Sequence, residues 1–99
     1  MKIYRCLHIV ILAVCGLSFT NAALAADNPR VAMETDFGTI EIELLEQLAP
    51  RTVSNFLQLV DAQFYDGLVF HRVIANFMIQ GGGYTPDLTY KPGPGTVPN

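Results

Sequence analysis

Cysteine, histidine and basic side chains are scarce in this 99-residue sequence, which has two, two and six of them. Cys6, Cys15 and His8 all fall within the first 15 residues, so only His71 stands in the later part. A histidine-based zinc site therefore lacks partners, and no metal is expected. Lys2 and Arg5 also stand at the start, and the stretch after residue 25 carries four basic residues against nine acidic ones, a net charge of −5. An acidic stretch without a basic cluster argues against a nucleic-acid partner. The longest apolar run, Cys6 to Phe19, is about 14 residues, whereas a spanning helix needs about 20. Stable membrane insertion is not expected.

That run has the surroundings of a leader. Lys2 and Arg5 precede it, and the small residues Ala23-Leu24-Ala25 follow it. Positive start, apolar core and A-x-A site together predict a secretory signal peptide over residues 1–25, cut between Ala25 and Ala26. Leu12-Ala13-Val14-Cys15 is a rival lipoprotein site, with bulky Val14 where such sites carry a small residue. Once residues 1–25 are removed, no cysteine remains for a disulfide or a thiol nucleophile. Export permits disulfides without requiring them.

Residues 26–99 divide by period. Arg30 to Thr35 reads as a strand, Asp36-Phe37-Gly38 as a turn, and Thr39 to Leu45 as a second strand. In the second, Ile40, Ile42 and Leu44 alternate with Glu41 and Glu43, as a half-buried strand requires. From Pro50 the period changes: Val53, Phe56, Leu57 and Val60 form a helical apolar stripe, with proline in the first turn where its missing N–H costs nothing. The helix is expected to end near Ala62 or Gln63. Leu68 to Ile74 and Phe77 to Gln80 read as two further strands around Ala75-Asn76, a tight hairpin connection. Thr85 to Asn99, with four prolines and two glycines, reads as a loop.

If the strand beginning at Leu68 is regular, Arg72 shares a face with Phe70 and Ile74, and a tight hairpin brings it beside Met78 and Gln80 with Phe77 at the corner. The patch would hold one guanidinium, one amide and two apolar side chains. It contains no Ser-His-Asp arrangement and no paired carboxylates, so it is poorly suited to hydrolysis. It suits a peptide group lying beside an apolar ring. His71 falls on the other face by parity and reads as a structural, hydrogen-bonded histidine. Gly81-Gly82-Gly83 lacks the spacing of a phosphate-binding loop and reads as a bulge or tight turn.

The run FYDGLVFHRVIANFMIQGGG, Phe64 to Gly83, resembles the signature of the cyclophilins, a family of peptidyl-prolyl cis-trans isomerases. TDFGTIEIEL is similar to that family's first hairpin and APRTVSNFLQLV to its first helix, so the resemblance covers about residues 30 to 90. With the leader and the GGG ending, the sequence looks most like the periplasmic bacterial branch. The resemblance implies a mainly β fold, a closed antiparallel β-barrel with capping helices. This chain would supply the first four strands and the first helix, as the N-terminal part of the domain. It implies that Arg72 is catalytic and stabilises a twisted prolyl amide, and that Phe77, Met78 and Gln80 bind the proline. It further implies no cofactor, proline-containing exported polypeptides as substrates, a role in protein folding, and a monomer.

The second half that supplies the rest of the family's pocket has no counterpart here. The alternative is a truncated, non-catalytic fragment or a peptide-binding module without turnover. For Arg72 the plainer reading is a surface arginine paired with a carboxylate.

Overall fold

The computed structural model describes residues 1–6 and 27–95. Residues 7–25 of the expected leader, its cleavage site, and the last four residues of the expected loop lie outside the described residues. In chain order the elements are β1 (Lys2–Arg5), β2 (Arg30–Thr35), β3 (Gly38–Glu43), α1 (Pro50–Asp61), β4 (Phe70–Ile74) and β5 (Met78–Gly81). The fold is mainly β with one helix. β1, β2 and β3 form one antiparallel sheet in that order, and β4 and β5 form a second. Among the described residues the two sheets stay separate and no barrel closes.

β2 and β3 follow from alternation. Val31 pairs with Ile42 and Met33 with Ile40, so apolar residues of both strands share one face. Val31 is fully buried, while Glu41 and Glu43 are exposed. At the turn, Thr35 Oγ1 donates to Gly38 O at 2.7 Å and accepts from Phe37 N at 3.2 Å.

α1 presents Val53, Leu57 and Val60 inward, and these pack with Val31 and Ile3 into the core. Phe56, expected in the core, is half-buried and packs at its margin. Pro50 occupies the first turn, and Ala49 before it offers no side-chain cap. The other end is closed by backbone geometry. Gln63 takes φ +55°, its N donates to Val60 O at 3.0 Å, and Phe64 N donates to Leu59 O at 2.9 Å. This is a Schellman ending with glutamine where glycine is usual.

Several boundaries differ from the sequence expectation, among them β3, which runs Gly38–Glu43 where Thr39 to Leu45 was expected. Leu68 and Val69 precede β4, and Leu68 is 1 % exposed, buried without joining the strand. Phe77 lies in the connecting turn, closed by Phe77 N donating to Ile74 O at 3.1 Å. β1 is a strand that no pattern announced, and it lies within the expected leader. Among the described residues, no helix is long and apolar enough to cross a membrane.

Candidate functional site

The β4–β5 hairpin carries all four expected site residues. Arg72 pairs with Gln80 and Ile74 with Met78, so these four share one face of the hairpin. The Arg72 Nη1 donates to Gln80 Oε1 at 3.5 Å, a long contact. Arg72 and Gln80 are exposed and Met78 is half-buried. Phe77, in the turn beside them, is 77 % exposed. The register thus brings a guanidinium, an amide, a thioether and an aromatic ring to one end of one hairpin.

β4 is not the regular strand on which the shared face of Arg72 and Phe70 depended. Phe70 pairs with Gly81 and Arg72 with Gln80, so His71 is an extra residue in a β-bulge. Two steps along β4 match one along β5, and parity across the bulge is lost. The cause lies opposite. A Cβ on Gly81 would stand 2.6 Å from Phe70 Cδ1, so the Phe70 ring lies across the space that a side chain would fill. Gly82, at φ +88°, then turns the chain beneath the Tyr65 ring. In the glycine run the tight turn is at Gly82, while the bulge lies on the facing strand.

His71 packs on Tyr84, with ring centroids 4.4 Å apart. Its Nδ1 is buried and has no hydrogen-bond partner among the described residues. The hydrogen bond expected of His71 is absent at Nδ1, and ring packing on Tyr84 stands in its place.

The hairpin is braced from behind by Tyr84 and by Tyr90 and Lys91, the latter two from the stretch Thr85 to Asn99 expected to be a loop. Tyr84 bridges Tyr90, Val69 N donates to Tyr84 O at 2.9 Å, and Lys91 N donates to Gly83 O at 2.9 Å. Lys91 Nζ donates to Phe64 O at 2.6 Å and lies 4.5 Å from the centre of the Phe64 ring. Tyr65 joins this brace to the core, 5.5 Å from Phe56 and 5.4 Å from Phe64 between ring centroids. Burial raises the Tyr65 hydroxyl pKa above its ordinary value. The signal for this brace was present: Tyr84 directly after the glycine run, then Tyr90 and Lys91 in a proline-rich stretch poor in large apolar residues.

Chemically, the patch offers hydrogen-bond donors and an apolar edge. Among the described residues Arg72 forms no ion pair, so the reading of a carboxylate-paired surface arginine finds no support, whereas Arg5 pairs with Asp61 and Arg30 with Glu43. No three His, Cys, Asp or Glu side chains come together among the described residues. Clefts of about 360, 230 and 230 Å³ lie elsewhere, and none is lined by Arg72, Phe77, Met78 or Gln80. Arg72, Gln80 and Phe77 leave the patch open to solvent.

The family model described as cyclophilin type peptidyl-prolyl cis-trans isomerase/CLD matches residues 30–98. A peptidyl-prolyl cis-trans isomerase of Streptomyces antibioticus is 54 % identical over 61 residues, covering 62 % of this chain and 37 % of its own length. Peptidyl-prolyl cis-trans isomerase A of Dickeya dadantii is 40 % identical over 87 residues, covering 88 % and 46 %. A peptidyl-prolyl cis-trans isomerase of Acinetobacter baylyi is 46 % identical over 82 residues, covering 83 % and 43 %. The chain thus spans less than half the length of each of these relatives.

Proposed function

Because the chain belongs to the cyclophilin-type peptidyl-prolyl cis-trans isomerase family, we propose that it serves the isomerisation of X-Pro bonds in exported polypeptides, with Arg72 as the catalytic residue. The observation that carries this reading is the exposed guanidinium of Arg72, held by one long contact to Gln80 opposite and set beside Met78 and Phe77.

Rotation about a prolyl amide faces a barrier of ~20 kcal/mol and takes tens of seconds unaided. No bond has to form or break. As the amide twists, its nitrogen lone pair leaves conjugation and becomes a better hydrogen-bond acceptor. A guanidinium over that nitrogen binds the twisted state more strongly than either planar isomer, and such differential binding lowers the barrier. Arginine holds its charge at every working pH, so the role needs no tuned titration. Gln80 would receive the neighbouring backbone, and Phe77 and Met78 would hold the ring.

The wider reading is a secreted, periplasmic, monomeric enzyme that assists protein folding. Lys2, Arg5, the apolar run and the Ala23-Leu24-Ala25 site support export. Val73 and Ile79, 69 % and 55 % exposed on the hairpin, support a larger antiparallel barrel in which further strands cover them.

The test places residues 30–98 in the corresponding part of the Dickeya relative and follows isomerisation of a proline-containing peptide. Arg72→Ala should lower kcat/KM by roughly a hundredfold or more, the cost typical of removing one preorganised donor. An unchanged kcat/KM would remove Arg72 from the mechanism. The openness of the patch favours a second reading, binding without turnover. In the 99-residue chain, a proline peptide that shifts the Phe77 and Met78 resonances without faster exchange between its isomers would establish it.

A further inference from the structure

Lys91 is the one lysine after Lys2, and it stands immediately before Pro92. A residue before proline is biased to extended backbone. The chain reaches it through a turn that closes on itself: Thr85 N donates to Thr89 O at 3.0 Å, and Thr89 Oγ1 donates to Asp87 Oδ2 at 2.8 Å. The turn returns Tyr90 to Tyr84, and Lys91 N donates to Gly83 O at 2.9 Å. The half-buried Lys91 side chain then crosses to the segment after α1, where its Nζ donates to Phe64 O at 2.6 Å. One residue thereby ties the chain leaving β5 to the chain leaving the helix.

We propose that Lys91 is a positioning residue for Arg72, acting through Tyr84 and His71; the inference rests on the reading of Arg72 as the catalytic residue. Arg72 has little of its own to aim it, since its contact to Gln80 is 3.5 Å long. Its direction follows the backbone at His71, the extra residue of the bulge. The His71 ring packs on Tyr84 at 4.4 Å, and its buried Nδ1 makes no hydrogen bond among the described residues. Tyr84 is therefore the surface that seats the bulge. It is held in turn by the Tyr90 ring at 5.5 Å and, one residue away, by the bond from Lys91 to Gly83. A charged donor on a backbone carbonyl holds more firmly than a neutral one, and the Phe64 ring 4.5 Å from the ammonium adds to it. Releasing that ammonium lets the segment from Tyr84 to Lys91 drift, and His71 and Arg72 with it. The loss falls on the twisted state that the guanidinium binds, and little on holding the ring at Phe77 and Met78.

In the grafted enzyme, Lys91→Met should lower kcat roughly tenfold with KM little changed, short of the hundredfold that a 1 Å misplacement can cost. Lys91→Arg, which can still donate to Phe64 O, should restore most of the loss. In an Arg72→Ala background Lys91→Met should cost nothing further, because the group that it aims is gone. Tyr90→Leu removes the ring beside Tyr84 at a residue 61 % exposed and should lower kcat in the same way. It covers the case in which Lys91→Met unfolds the enzyme. In the 99-residue chain, Lys91→Met should also displace the His71 and Arg72 amide resonances and weaken the contact between residues 72 and 80, a readout independent of turnover. Unmoved resonances, an unchanged kcat, or an equal loss in the Arg72→Ala background would each overturn the proposal. Full activity in Arg72→Ala alone would instead remove the catalytic reading on which it rests, and the proposal with it.

Discussion

Arg72 and Gln80 face each other across β4 and β5, with the guanidinium reaching the amide oxygen at 3.5 Å. The contact is at the outer limit of a hydrogen bond, so it steers the guanidinium without committing its other donors. Gln80→Leu should leave the fold intact and lower kcat/KM in the grafted enzyme by about tenfold, and Arg72→Lys should lower it further. Lysine keeps the charge but loses the planar fork. Steady-state kinetics of the two variants check the order, and equal effects would separate Gln80 from the positioning of Arg72.

Gly81 carries the packing of this hairpin. Gly81→Ala would push a methyl into the Phe70 ring and should destabilise the chain by about 1–3 kcal/mol, as overpacking commonly does. Its second effect is on register: the pairing of Arg72 with Gln80 should loosen. Thermal melting reads the first, and cross-strand NMR contacts between residues 72 and 80 read the second.

Gln63 ends α1 at φ +55° and is exposed. An L side chain in that conformation costs about 1 kcal/mol, and glycine escapes the cost. Gln63→Gly should raise the midpoint of thermal unfolding, against the usual direction of glycine substitutions. Gln63→Val should lower it, because a β-branched residue tolerates positive φ least.

Two groups predict opposite pH limits. The Thr85 hydroxyl, and then that of Thr89, holds the Asp87 carboxylate below its ordinary pKa of 3.8. A lowered folded pKa means that this contribution is complete above 3.8 and lost as pH falls through the lower folded value. The 85–89 turn should therefore loosen in acid, seen in the Thr85 and Thr89 amide shifts, and Asp87→Asn should abolish the transition. Burial raises Tyr65 above 10.0, so its neutral form is favoured in the fold and stability declines as pH rises from that value. Tyr65→Phe should flatten the alkaline side of a stability–pH curve and leave the acid side unchanged.

Much of this was legible along the chain. β2 has the bounds read from Arg30 to Thr35, and α1 begins at Pro50 and buries Val53, Leu57 and Val60 from the apolar stripe. The Arg72, Phe77, Met78 and Gln80 patch came from treating Ala75-Asn76 as a tight connection, and it assembled although Phe77 moved into the turn. What was missed involves partners distant in sequence. The bulge at His71 depends on Phe70 lying over Gly81, and the brace behind the hairpin needs Lys91 to reach back to Phe64.

The sequence by itself determined the periods, and with them the type of each main element and the set of side chains that each offers to one face. Spacings of two, three and four residues act within a single strand or turn of helix, so they survive in the linear order. The tertiary structure alone decided the register of β4 on β5, the placement of His71 against Tyr84, and the seating of Ile3 of β1 against Val31. These depend on which surfaces meet and on the space each leaves. The space left by the missing Cβ at Gly81 and the pairing of β1 along β2 become visible once the neighbouring segments are in place.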